Sequence, residues 1–168
     1  LSQSLSGDGD GPSPNGPSLS GLSLEVDGLL LNRDNGMIEA RSNLALSSLG
    51  LDNQRGKLLG SAISLDTRGA DLDNSGGLIT TAGPLTLDNL RTLANVGGEL
   101  STARALVIEA DELDNRNGVI AARQLNLRQL ADVNNRSGEI SSQRALHLAA
   151  RTLDNSKGQL YSEQGLTL

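Results

Sequence analysis

"ELDNRNGVIAARQLNL", Glu112–Leu127, is one copy of a unit that recurs through most of this chain. "GLDNQRGKLLGSAISL" (Gly50–Leu65) precedes it and "TLDNSKGQLYSEQGLTL" (Thr152–Leu168) follows it. Anchored on its glycine, the unit returns at Gly36, Gly56, Gly77, Gly98, Gly118, Gly138 and Gly158, at intervals of 20 or 21 residues. Five residues before each anchor stands Leu31, Leu51, Leu72, Leu93, Leu113, Val133 or Leu153; two after it stands Ile38, Leu58, Ile79, Leu100, Ile120, Ile140 or Leu160. A Leu-x-Leu pair then closes the unit, as in Leu125/Leu127 and Leu146/Leu148. Repetition of this kind is the first thing to seek in a sequence, because it sets the whole architecture.

Inside the unit the apolar residues alternate with polar ones. Ile140 and Ser142 are expected to face one way, Glu139, Ser141 and Gln143 the other, and Leu146 and Leu148 inward on the next segment. A period of two marks strands with one buried face. The i, i+3, i+4 stripe of a helix is missing, and Asp, Asn and Gly in every unit would interrupt one. The fourth residue after each anchor is small (Ala40, Gly60, Thr81, Thr102, Ala122, Ser142, Ser162), as a tight inner corner requires. Three short strands per ~20 residues close on themselves only by coiling, with successive coils at the inter-strand spacing of about 4.8 Å. The expected fold is therefore all-β, a parallel β-helix (solenoid) of about seven coils of 20–21 residues. A leucine-rich repeat has a comparable period, but its Asn follows the Leu-x-Leu pair closely, whereas Asn155 comes seven residues after Leu148. The Gly-Gly-x-Gly-x-Asp pattern of calcium-binding nonapeptides is absent.

Composition agrees. Tyr161 is the one aromatic residue, so the core must be built of repeated Leu and Ile layers. A formal charge of −6 argues against nucleic acid as a partner, and the chain has no cysteine for disulfides or thiolate chemistry. The third residue of Leu-Asp-Asn is Asn53, Asn74, Asn95, Asn115, Asn135 or Asn155, with Arg33 at that place in the first unit. In register these amides are expected to stack as a hydrogen-bonded ladder, and the anchor glycines to supply positive φ where a side chain would clash. A metal row through Asp52, Asp73, Asp114 and Asp154 is not expected, because Asn32, Ala94 and Asn134 interrupt it and calcium takes 6–8 oxygens. No catalytic, cofactor-binding or metal residue stands out, and no small-molecule substrate is implied. His147, Tyr161 and Met37 are read as outward, and Arg41, Arg104, Arg123 and Arg144 as recurring along one outer edge. Arg104, Arg123, Arg144, His147 and Tyr161 are thus the candidate contact residues.

The unit Leu-Asp-Asn-x-x-Gly-x-Ile/Leu-x-Ser/Ala followed by Leu-x-Leu resembles the haemagglutinin repeat of filamentous haemagglutinin-type exoproteins. These are long bacterial proteins exported by two-partner secretion, among them adhesins and contact-dependent growth inhibition proteins. The resemblance spans about residues 24–168. It implies a right-handed β-helix and export across the outer membrane of a Gram-negative cell through a secretion partner. It also implies a structural stalk that presents adhesive or toxin-delivery modules toward a target-cell receptor. The alternative is a segment that itself binds a receptor or glycan. Enzymatic activity is not expected: the repeats carry no long insertions to wall a groove. Residues 1–21, with Pro12, Pro14 and Pro17, read as a Ser/Gly/Pro-rich linker or an N-terminal cap, and residues 22–168 as the β-helix. Leu24 and Val26 are read as the end of a preceding partial coil. The missing initiator Met and the stop at Leu168 suggest a piece of a longer protein.

Overall fold

In the computed structural model, residues 21–168 are described, and these form sixteen strands with no helix among them. Every strand pairing is parallel. Each coil passes through three faces before lying beside the previous one. The first face carries the Leu-x-Leu segments: β1 (Gly21–Val26), β4 (Asn43–Ser48) and β7 (Ala62–Asp66) open it. The second carries the Leu-Asp segments, such as β5 (Leu51–Asp52) and β8 (Leu72–Asp73). The third carries the segments after the anchor glycine, such as β6 (Lys57–Gly60), β9 (Leu78–Thr81) and β13 (Glu139–Ser142). Toward the middle of the chain the corners straighten enough for single strands to turn them. β10 (Leu85–Ala94), β11 (Glu99–Asp114), β12 (Val119–Asn134) and β14 (Ala145–Asp154) each contribute to more than one face. The fold is a β-solenoid of about seven turns.

Stacking in register turns one apolar position per unit into a column. Ile79, Leu100, Ile120 and Ile140 pair in succession on the third face; Leu72, Leu93, Leu113 and Val133 do so on the second. Ile63, Leu85, Leu106, Leu125 and Leu146 form the outer member of the pair on the first. All of these are buried. The interior is thus a few columns of aliphatic side chains, each resting on near-copies above and below, and dense packing needs no aromatic ring to fill it.

Two expectations at the start of the stack are corrected. Leu30, not Leu31, pairs with Leu51, and Leu31 is 54% exposed. The first turn holds one residue more than the others: four steps separate Asn32 from Gly36, against three between Asn53 and Gly56. Counting back five from the glycine therefore lands one residue late. For the same kind of reason Leu22 and Leu24, rather than Leu24 and Val26, pair with Leu44 and Leu46. The linker or cap expected at residues 1–21 lies outside the described residues except for Gly21, which opens β1.

The corner between the first and second faces varies in length. Asn89 and Gln129 sit at φ of 54° and 63° and take up one extra residue each, and the ladder shifts beside them. Bulges of this kind re-aim the next side chain. Leu90 and Leu130 then point inward opposite Ala110 and Ala150, so long corners deliver Leu and short ones Ala, alternately up one column.

Burial of Ile120 at the centre of its column sets an expectation. Ile120→Ala should cost about 2–5 kcal/mol in denaturant unfolding followed by far-ultraviolet circular dichroism. Ile120→Asp, which places an unpaired carboxylate there, should abolish the cooperative transition; an unchanged melt for it would refute this packing.

Candidate functional site: the Asn–Gly corner and the outer faces

The corner between the second and third faces is the most regular polar feature of the molecule. Asn53, Asn74, Asn95, Asn115 and Asn135 are fully buried there and Asn155 half-buried. Each side-chain amide donates to the Oδ1 of the next coil's Asn, from Asn53→Asn74 through Asn135→Asn155, at 2.7–2.8 Å. The same nitrogen reaches backbone carbonyls as well: Asn115 Nδ2 donates to Gly118 O at 3.3 Å and to Glu139 O at 3.1 Å. A buried amide left unpaired costs about 1–3 kcal/mol, and stacking satisfies each one with a copy of itself. Asn32 heads the row, donating to Asn53 Oδ1 at 2.7 Å, while Arg33 lies outside against Asp52 at 3.4 Å. The break expected at Arg33 is therefore absent; the extra residue in the first turn shifts Asn32 into the ladder position.

The anchor glycines have a different reason from the one expected. Positive φ belongs to the residue before the anchor: Arg55, Gly76, Gly97, Asn117, Ser137 and Lys157 lie at 55–62°, and Asn35 at 70°. Gly118 closes the β-turn by donating its N–H to Asn115 O at 3.1 Å. A Cβ on Gly118 would stand 2.1 Å from Asn95 O and 2.6 Å from Asn115 Oδ1, and Gly77, Gly98, Gly138 and Gly158 are similarly confined. The anchor is glycine because the ladder and the preceding coil's backbone press against it, not because of its φ.

The Asp of Leu-Asp-Asn also has a local task that the spacing did not reveal. Asp52, Asp73, Asp114 and Asp154 accept from the backbone N–H two residues on, at 2.9–3.2 Å, and Asn134 does the same for Arg136 at 3.3 Å. This Asx-type bond initiates the turn, which explains why Asn substitutes for Asp there. Among the described residues no group of three potential metal-ligating side chains comes together.

The remaining sequence-derived residues divide between faces. Arg104, Arg123 and Arg144 stand on successive coils at the corner between the third and first faces, around a shallow groove of about 410 Å³ floored by Pro84 and Ala105. Tyr161, 56% exposed, lies on the third face at the end of a second open groove of about 520 Å³, whose floor is Thr80, Ser101, Ala121 and Ser141. His147 is exposed on the first face, level with Asn126 and Thr167, and belongs to neither groove. Elsewhere charge is locally paired. The Arg91 guanidinium binds Asp71 and holds its carboxyl below the usual range against an opposing push from burial. Asp88, by contrast, is raised, first by burial and then by Glu109 one coil away, and its Oδ1 has no partner.

A family model, described as haemagglutinin repeat, matches residues 18–89, 70–129 and 124–168. The chain belongs to the haemagglutinin-repeat family. No curated protein matches it, and no solved structure does. Haemagglutinin repeats are typical of secreted or surface bacterial adhesins, and this chain is a filamentous, adhesin-like repeat segment.

Two measurements check these roles. Gly97→Ala and Gly98→Ala change adjacent residues of one turn. Gly97, at φ 62° with open space around it, should lose about 1–2 kcal/mol. Gly98, where a Cβ would stand 2.1 Å from Asn74 O, should lose clearly more, about 3 kcal/mol or above. The second concerns pH. A raised folded-state pKa at Asp88 means that its ionised form costs stability, a cost absent well below the ordinary aspartate value of 3.8 and incurred as pH rises through the folded pKa. Asp88→Asn should therefore raise the melting temperature at neutral pH, and the gain should shrink as the pH falls toward that value. The Arg91–Asp71 pair has the opposite sign, contributing above the carboxylate range and fading on acidification.

Proposed function

We propose that this haemagglutinin-repeat segment is a stalk: a stiff spacer of a large secreted bacterial exoprotein that holds adhesive or toxin-delivery modules away from the cell. The observation that carries this reading is the unbroken register of the columns and the Asn ladder from Asn32 to Asn155. Each coil adds the same rise of about 4.8 Å, so seven coils make a rod of roughly 34 Å. In a quasi-one-dimensional stack, every coil is braced by its neighbours alone, and length can grow without altering the unit. The grooves on the outer faces are open and shallow, and no loop of the described residues rises to wall a substrate site. Resemblance to two-partner-secretion exoproteins supports export from a Gram-negative cell through an outer-membrane partner. The alternative reading, direct capture of a receptor or glycan, draws on the groove at Tyr161.

The deciding experiment is a binding titration of the isolated 168-residue chain on target cells. A stalk segment should show no saturable binding while remaining folded by circular dichroism. Saturable binding that disappears in Tyr161→Ala or in an outward arginine variant would overturn the stalk and favour the alternative.

A further inference from the structure

The chain has twelve arginines. Seven pair with carboxylates (Arg33, Arg55, Arg91, Arg116, Arg128, Arg136, Arg151), and Arg68 donates to Val26 O. The four whose guanidinium groups find no acceptor among the described residues are Arg41, Arg104, Arg123 and Arg144, all at the same corner. Three of them stand on consecutive coils: Ala105 lies beside Gln124 in the strand register, and Arg144 N donates to Arg123 O at 2.9 Å. Like charges directly opposite across neighbouring strands are destabilising. Every other arginine of the described residues is answered by a carboxylate or, for Arg68, by a backbone carbonyl, and here none is.

The opposite margin of the third face carries Glu99, Val119 and Glu139, one above another, and neither glutamate forms an ion pair among the described residues. Between the two margins runs the column Ser101, Ala121, Ser141 and Tyr161. Over the coils from Glu99 to Arg144 the third face is thus a strip of small side chains with an uncompensated cationic edge and an uncompensated anionic edge. On the earlier coils the same columns carry Glu39 and Leu59 in the middle and Lys57 on the margin, and exposed Met37 and Tyr161 mark the two ends.

We infer that this face pairs with the same face of a second copy, the two rods running parallel about a two-fold axis along the column through Ala121. A two-fold parallel to the rods exchanges the margins. Glu99 and Glu139 of one copy then meet Arg104 and Arg144 of the other, and each contact occurs twice, as an isologous interface requires. Arg123 meets Val119 between the two glutamates. An antiparallel pair would set arginines against arginines. The rise per coil is fixed in both copies by the same inter-strand spacing, so charges that match at one coil match at the next. Small residues at the centre let two sheets approach to the usual packing distance of about 10 Å. A face of seven strands, three or four residues wide, offers roughly 34 by 13 Å per copy at most, which places the contact in the weak, salt-sensitive class.

The test is sedimentation velocity on the full chain at rising concentration and low salt. Wild-type protein should shift reversibly toward a dimer, and high salt should dissolve it. Arg104→Glu/Arg123→Glu/Arg144→Glu and Glu99→Arg/Glu139→Arg should each stay monomeric, and an equimolar mixture of the two should dimerise, since every margin is then answered. Orientation is read with a short bis-maleimide that bridges thiols across the gap between the packed sheets, in a chain with no native cysteine. In a parallel pair, Ser101→Cys, Ala121→Cys and Ser141→Cys each crosslink to their own copy; in an antiparallel pair centred on Ala121, only Ala121→Cys does. A monomeric wild type, an association unaffected by either reversal, or a mixture that fails to pair overturns the inference. Should a reversed variant unfold, the trapping result on the otherwise unchanged surface decides alone.

Discussion

Parallel stacking of near-identical coils in register is the constraint on which everything else in this molecule depends. Once coil lies on coil at the inter-strand spacing, a residue is judged by how well it rests on copies of itself. Leucine and isoleucine do this by interdigitation, and columns such as Ile79–Leu100–Ile120–Ile140 need no aromatic ring. Asparagine does it chemically, because its amide carries a donor and an acceptor on one planar group and can give to the coil above while taking from the coil below. Aspartate at the same place would have no hydrogen to give. The ladder then dictates the glycine: Asn115 Oδ1 and Asn95 O together occupy the space that a Cβ on Gly118 would need.

The same stacking rule shapes the surface. Outward residues also form columns, so charge must be paired along the axis or left uncompensated along it. On the second face Asp71, Asp132 and Asp154 are each met by an arginine from a neighbouring coil, and their carboxyls are held below the usual range, Asp71 chiefly by Arg91, Asp132 chiefly by the hydrogen bond from Thr152 and Asp154 chiefly by that from Ser156. Exposed pairs of this kind contribute little individually. At the corner of Arg104, Arg123 and Arg144 the rule produces a stripe of one sign, and on the opposite margin Glu99 and Glu139 are likewise left unanswered. Stripes of this kind are the part of the surface that a neighbouring rod would meet as continuous columns of charge.

Much of the fold could be read from a few residues. Leu113, Asn115, Gly118 and Ile120 lie where their spacing puts them, because period two and a 20-residue return leave only one way to bury the apolar set. Legibility failed wherever chain length varied without altering the pattern. At the first turn, one extra residue between Asn32 and Gly36 moved the core position to Leu30 and brought Asn32 into the ladder. At Asn89 and Gln129 a bulge absorbed a residue, so the Leu-x-Leu pairs return at uneven intervals while their side chains remain aligned. The second-position Asp was legible only as a possible ligand, since its bond to a backbone N–H two residues away is a matter of turn geometry.

By itself, then, the sequence determined the class of fold, the number of coils and the columns beyond the first turn, because these follow from periodicity, and periodicity is a property of order along the chain. It also carried the family. Only the tertiary structure decided which residue of each turn bears the positive φ, why the next must be glycine, and which charges stay uncompensated. Those outcomes depend on what lies one coil away, about twenty residues distant in sequence and about 4.8 Å distant in space, and no local pattern encodes a neighbour at that remove.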